Sequence, residues 1–353
     1  MNPKVTLVAA PLITKGGVFR STCELVEAAR NAGLDWKGVI VTRGDLGATS
    51  VPEGVDVHVL DYAGLTGLLK LRSLLGKHER LQTSDAVISL IPQSDVLLAT
   101  LKRHRKQKLI AYVRGAPWPR EGEANHLRRT AWRLIERWAL SRMWEVWATT
   151  PKLKAELDWP QTHIVPAGIA SHAQARVRKS TGSVLVWAAR MSPDKNPHLF
   201  LEILKQVPVT GLMFGDGELR SELEQAAPSN VMFRGWSDPQ SVWEEGTIYI
   251  GTSFREAFGR SAVEAATGGM ATVLSDAFGA APMLYTDKQL RDAYVLDPHD
   301  TQAWVVAVQN LVRNDSHRAD VGDHVRQNAQ ALSIQGSVAA IVERIDHRGS
   351  RAA

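Results

Sequence analysis

Cysteine is almost missing from this chain: Cys23 stands alone, so neither an internal disulfide nor a cysteine-ligated metal centre is available, and a reducing cytoplasm fits. Long apolar runs are missing too, since nothing approaches the roughly 20 apolar residues of a membrane span. The short segment VTLVAAPLI follows a single lysine and leads into a glycine pair, which marks a first buried strand rather than a signal peptide. Several motifs are absent as well. No G-x-G-x-x-G follows the first strand, and there is no G-x-x-x-x-G-K-[ST], no H-E-x-x-H and no D-x-D pair to hold a metal against a diphosphate. Dehydrogenases, P-loop enzymes and metal-bridged transferases lose ground accordingly.

What is present is an ordinary globular composition, 44% hydrophobic and 22% charged over 353 residues, enough for two domains. The net charge of +5 is uneven: residues 1–166 carry 24 Lys and Arg against 16 Asp and Glu, and the remainder carry 18 against 21. A basic first half attracts anionic partners or simply aids solubility.

Short β-branched runs alternate with amphipathic segments. KVTLVAA, WKGVIVT, VDVHVL, DAVISL, KLIAYV and EVWATT read as strands, with helices expected near 18–32, 64–80, 94–105 and 124–142. Periodicity lapses around residues 165–183, then SVLVWAA, VTGLMFG, NVMFRG, TIYIGT and ATVLS alternate with helices near 197–206, 218–226, 258–268 and 301–313. The expected fold class is α/β: two Rossmann-like, doubly wound parallel-sheet domains facing across a cleft. The boundaries fall at 1–166, a linker at 167–182, a second domain at 183–330, and at 331–353 a helix returning to the first domain with a disordered tail.

Candidate site residues cluster at strand-to-helix junctions. Gly16 and Gly17 open a helix, where bare N–H groups either meet an anion or sugar or simply serve a tight turn. Arg190 and Lys195 follow a strand and would neutralise two linked phosphates, or form a surface ion pair. Gly215 and Gly217 in GDGELRSEL, and Arg234 in VMFRG, belong to two turns expected side by side, where a nucleotide base could rest on backbone groups. In SFREAFGRSAVEA, Glu256 precedes a turn and Glu264 lies about two helical turns into the next helix on a similar azimuth, so both carboxylates face one mouth and suit vicinal hydroxyls.

This order of elements resembles the family-4 glycosyltransferases of the GT-B fold over nearly the whole chain, and the Glu256–Glu264 block is similar to the family's E-x7-E element. The resemblance implies a retaining, metal-independent transfer from a nucleoside-diphosphate sugar, with UDP or GDP as the nucleotide, to an acceptor the sequence does not name; no other cofactor is implied. It assigns Arg190 and Lys195 to the diphosphate, Glu264 to the ribose, and Glu256 with the Ala257, Phe258 and Gly259 turn to the sugar. Gly16 and Gly17 fall to the acceptor side.

Two departures stand out. Ala257 replaces the family's usual glycine, and Arg114 followed by Gly115 stands where many members have a sugar-contacting histidine. A GT-B nucleotide-sugar epimerase or hydrolase, and a silent sugar-nucleotide-binding protein, are therefore the alternatives.

The segment HLRRTAWRLIERWALSRMWEVW adds a second question. Leu127, Ala131, Leu134 and Trp138 recur at helical spacing among arginines. The periodicity favours a core-packing stripe with a solvated arginine face; the other reading is contact with anionic lipid or an acidic acceptor. No recognition-helix pattern or stacking platform points to nucleic acid. A cytoplasmic protein, peripheral on the inner membrane face, is the expected location.

Overall fold

The computed structural model describes residues 2–12, 16–44, 51–60, 64–102, 106–115, 125–170, 182–237 and 242–346. Most of the expected linker and the whole C-terminal tail lie outside the described residues. The chain divides into two compact units, Met1–Gly168 with Ile334–Ala353, and Ile169–Ser333.

The first unit holds a seven-stranded, all-parallel sheet in the order β3-β2-β1-β4-β5-β6-β7. Its strands are β1 (Val5–Leu12), β2 (Trp36–Thr42), β3 (Val55–Val59), β4 (Ala86–Ser89), β5 (Lys108–Val113), β6 (Glu145–Ala148) and β7 (His163–Ile164). The second unit repeats the plan with six parallel strands ordered β10-β9-β8-β11-β12-β13. These are β8 (Val184–Ala188), β9 (Thr210–Phe214), β10 (Val231–Gly235), β11 (Ile248–Gly251), β12 (Ala271–Ser275) and β13 (Val295–Leu296). Central strands are buried along their length, as β1, β4 and β12 show, which is why they read as unbroken apolar runs rather than alternating ones. Strand order reverses between β1 and β4 and again between β8 and β11. Loops leaving the carboxyl ends of β8 and β11 are therefore neighbours although some 60 residues separate them.

The eleven strands read from sequence are all present. β7 and β13 have two residues each, too short for any periodicity to register. The helix expected over 64–80 breaks at His78 into Gly64–Lys77 and Glu79–Thr83, and the one expected over 94–105 is Pro92–Ala99, with 103–105 outside the described residues. The helix Asp315–Gln330 had no apolar signal because its buried face is Arg318, Val321, Gly322, Val325 and Ala329. A Cβ at Gly322 would lie 2.6 Å from the Gly269 carbonyl oxygen, so this helix packs almost backbone to backbone.

In the first unit the final helix, Ile334–Asp346, returns to the sheet. Arg344 grips the buried Glu145 carboxylate bidentately at 2.8 Å for both contacts, Trp147 Nε1 donates to the same carboxylate at 2.7 Å, and Lys108 Nζ donates to the Ile345 carbonyl at 2.7 Å.

One expectation is overturned. In the helix His126–Leu140 the stripe Leu127, Ala131, Leu134 and Trp138 is exposed; the packed side is Glu136, Ala139 and Leu140, with Trp132 half-buried. The amphipathic period was real, but the helix has a second apolar edge about 150° away, and that edge meets the protein.

Candidate active site

Every donor-side candidate sits at the carboxyl edge of the second sheet. After β8 the chain turns through Arg190 to Ser192, makes a short 3-10 turn at Pro193–Lys195, and enters the helix Pro197–Gln206 through Asn196 in the left-handed region. The loop is pinned from β11: Trp187 Nε1 donates to Thr252 Oγ1 (2.9 Å), Thr252 Oγ1 donates to the Lys195 carbonyl (2.9 Å), and Phe254 N donates to the Asp194 carbonyl (2.9 Å). Adjacent strands at the sheet's reversal thus bring Lys195 to Glu256. The ammonium donates to Glu256 Oε2 at 2.9 Å and to the Arg255 carbonyl at 3.3 Å, with Asp194 Oδ2 at 3.6 Å.

Arg190 differs from its neighbour. Its side chain is 70% exposed, against 18% for Lys195, and it leans on Ser192 Oγ (3.2 Å) and Asp194 Oδ1 (3.6 Å). Burial opposes ionisation of Asp194, but the Ser192 hydroxyl at 2.6 Å and the Lys195 and Arg190 cations outweigh it and hold the carboxyl below its ordinary value. The result is a mouth of two cations and two carboxylates, with one exposed guanidinium and one ammonium held by its partners.

Glu256 leads into a turn tied to the loop after β12: Gly279 N donates to the Glu256 carbonyl and Ala280 N to the Phe258 carbonyl, each at 2.9 Å. Phe258 is buried, so its ring belongs to the core beneath this turn. Gly259 adopts φ +97° and a Cβ there would lie 2.4 Å from Phe278, so glycine is required on both counts. Ala257 is half-exposed and has ordinary negative φ, so a methyl group is accommodated without backbone strain.

The helix Arg260–Thr267 begins at Gly259 with no side-chain cap. Its Glu264 is buried, with Arg260 Nη2 at 3.5 Å. Burial pushes the Tyr249 phenol up, and the charges of Glu256 and Glu264 push in the same direction, so both carboxylates bear on this one ring, which bonds Ser261 Oγ at 2.7 Å. The structure thus pairs Lys195 with Glu256, with Arg190 at the rim, while Glu264 lies buried in the following helix beside Arg260.

The two glycine turns also meet. Gly215 N donates to the Gly235 carbonyl at 2.7 Å, and Met191 N donates to the Asp216 carbonyl at 2.9 Å. A Cβ at Gly215 would stand 2.0 Å from the Ala189 carbonyl oxygen, and one at Gly217 2.4 Å from that of Met191. Loops after β8, β9 and β10 are thus sewn together backbone to backbone. Trp236, 82% exposed beside Gly235, escaped the sequence reading; a bulky apolar residue directly after the strand VMFRG was the available signal. Arg234, directly before Gly235, pairs with Glu245 at 2.8 Å.

In the first unit, Gly16 and Gly17 are exposed where β1 gives way to the helix Gly17–Asn31. Arg114 directly follows β5, with its guanidinium 5.0 Å from the Tyr112 ring centroid. Both places lie at the carboxyl edge of the first sheet.

The class of fold follows from this architecture: two parallel-sheet α/β domains, the GT-B fold. Residues 182–314, which include every donor-side candidate, match the profile of the family described as glycosyl transferases group 1. Among solved structures, sucrose-phosphate synthase from Thermosynechococcus elongatus superposes with a TM-score of 0.81 at 16% identity, covering 99% of each chain. Anabaena Alr3699/HepE, solved in complex with UDP-glucose, gives 0.75 at 16% identity over 99% of this chain and 100% of that one. In sequence, the chain is 28% identical over 141 residues to the poly(glycerol-phosphate) alpha-glucosyltransferase of Bacillus subtilis (strain 168). That alignment spans 38% of this chain and 21% of the relative's length.

Proposed function

We propose that the protein is a retaining, metal-independent glycosyltransferase of the hexosyltransferase kind, moving a sugar from a UDP or GDP sugar to an acceptor. The observation that carries this reading is the Lys195–Glu256 pair, 2.9 Å apart at the sheet's reversal with Arg190 at its rim. Lys195 and Arg190 neutralise the leaving diphosphate, and the uncapped start of the helix Arg260–Thr267 adds its dipole; charge developing on phosphate is where electrostatic catalysis acts most strongly. Glu264 takes the ribose hydroxyls. Glu256 and the Ala257–Gly259 turn take the transferred sugar. The base lies on the joined Gly215 and Gly235 turns, with Trp236 beside it. Arg234 stays a donor-side assignment only through a rearrangement away from Glu245. In the first unit, Gly16, Gly17 and Arg114 contact substrate, and Arg114 suits an acidic or phosphorylated group better than the histidine many relatives carry. A solved HepE complex with UDP-glucose and a glucosyltransferase relative are consistent with this donor class.

A second reading is a silent sugar-nucleotide-binding protein, favoured by Arg114 and Ala257. Incubation with a panel of UDP and GDP sugars, with and without chelator, separates the two. Release of free nucleoside diphosphate that survives chelation is expected. Tight donor binding without release in any acceptor mixture supports the silent protein. Glu264→Ala is expected to weaken donor binding by about tenfold or more, the scale of a lost pair of hydrogen bonds to a charged group; unchanged affinity removes the ribose assignment.

A further inference from the structure

The helix His126–Leu140 carries more than its packing needs. From Asn125 to Trp144 the chain has five arginines, 128, 129, 133, 137 and 142, against a single carboxylate, Glu136, which is buried on the opposite side. At 100° per residue, Leu127, Ala131, Leu134 and Trp138 form one outward stripe, extended on one side by Ile135. Leu127 is 81% exposed, Leu134 64% and Trp138 41%. Arg128 borders the stripe beyond Ile135, and Arg137 lies on its other side, with the exposed Arg133 about 40° further round. The Arg142 guanidinium lies 4.9 Å from the Trp138 ring centroid, and that of Arg137 5.1 Å from Trp159. Asn125 caps the helix by accepting from Arg128 N at 2.9 Å, so the exposed first turn is fixed without help from a neighbour.

We infer that this face docks on the surface of an anionic lipid bilayer. Charge and shape both select that partner. An exposed apolar stripe some 100° wide, with cations on both flanks and, from Asn125 to Trp144, no exposed carboxylate, matches a helix lying in the interface plane: apolar side chains enter the acyl boundary, arginines meet lipid phosphates, and the aromatic sits at headgroup level. Nucleic acid has no use for the leucines, and a protein core would bury them. No described helix is long and apolar enough to cross a membrane, so the contact is peripheral through this helix. The inference stands independently of the donor assignment, since it uses only residues of the first unit.

The test uses the full chain in co-flotation with vesicles of phosphatidylcholine alone and of phosphatidylcholine with phosphatidylglycerol. Binding confined to the anionic vesicles and weakened by salt is expected. Leu127→Ser with Leu134→Ser, and separately Arg128→Glu with Arg133→Glu, should each reduce it by about tenfold or more. Unchanged circular dichroism and an unchanged melting temperature keep loss of vesicle binding distinct from loss of fold. No preference for anionic vesicles, or equal binding by the variants, overturns the inference. So does light scattering that shows a wild-type dimer turned monomeric by the leucine changes, because the face is then an interface between two copies.

Discussion

Gly215 illustrates how little room the donor-side loops leave. Its φ of +115° and the 2.0 Å separation between a notional Cβ and the Ala189 carbonyl oxygen mean that any side chain must push the loop after β8 off the loop after β9. Gly215→Ala is expected to cost on the order of 2 kcal/mol or more in urea denaturation, from forced repacking and disfavoured backbone together, and to weaken nucleotide binding as well. A variant with wild-type midpoint and affinity rules out this stitching as a support of the site. At this scale the sequence was informative about Lys195 and Glu256, because residues at strand ends have positions fixed by topology. For Arg234 it left the partner open: a cation on an edge strand has several reachable carboxylates, and here Glu245 pairs with it. The burial of Glu264 was equally invisible, since the spacing of two glutamates sets their azimuth and says nothing of what covers them.

Among the elements, the helices Pro92–Ala99 and His126–Leu140 pack with two carboxylates between them. Asp95 and Glu136 each leave one oxygen without a hydrogen-bond partner. Burial pushes Asp95 up to about 7, offset in part by the Ser89 hydroxyl, and pushes Glu136 up to about 8, with the Asp95 charge adding to it. Both values are raised above the ordinary 3.8 and 4.5, so the folded form binds protons more tightly than the unfolded chain. The stabilisation is complete below the ordinary carboxylate range and is lost as pH rises toward 8. Asp95→Asn with Glu136→Gln should flatten that decline between about pH 4 and 8 and raise the melting temperature at pH 8. An unaltered pH slope in the double variant refutes the assignment. The amphipathic period of His126–Leu140 was legible from sequence, whereas the side that packs was not. Periodicity identifies a face that wants cover, and here two faces carried that mark.

For the molecule as a whole, the doubly wound parallel class was legible because repeated strand-helix alternation admits few topologies, those with right-handed crossovers and a central reversal being favoured; the order of the strands came only with the structure. The return of the last helix rests on particular contacts. Arg344→Ala removes the bidentate partner of a carboxylate whose side chain is 3% exposed, and a loss of about 3 kcal/mol is expected, the range for breaking a buried pair. Arg344→Lys should restore part of it, as one point charge replaces a fork. Urea denaturation of the full chain checks both, and an Arg344→Ala midpoint equal to wild type disproves the claim that this pair anchors the helix.

Because Ile334–Asp346 belongs to the first unit yet follows the whole second one along the chain, the first unit cannot be finished in the order in which it is translated. While the ribosome is still making residues 169–333, Glu145 awaits its arginine, and the helix Gly17–Asn31 lacks the neighbour that later packs on it. Of the two units, the one whose synthesis starts first is therefore the last to be completed.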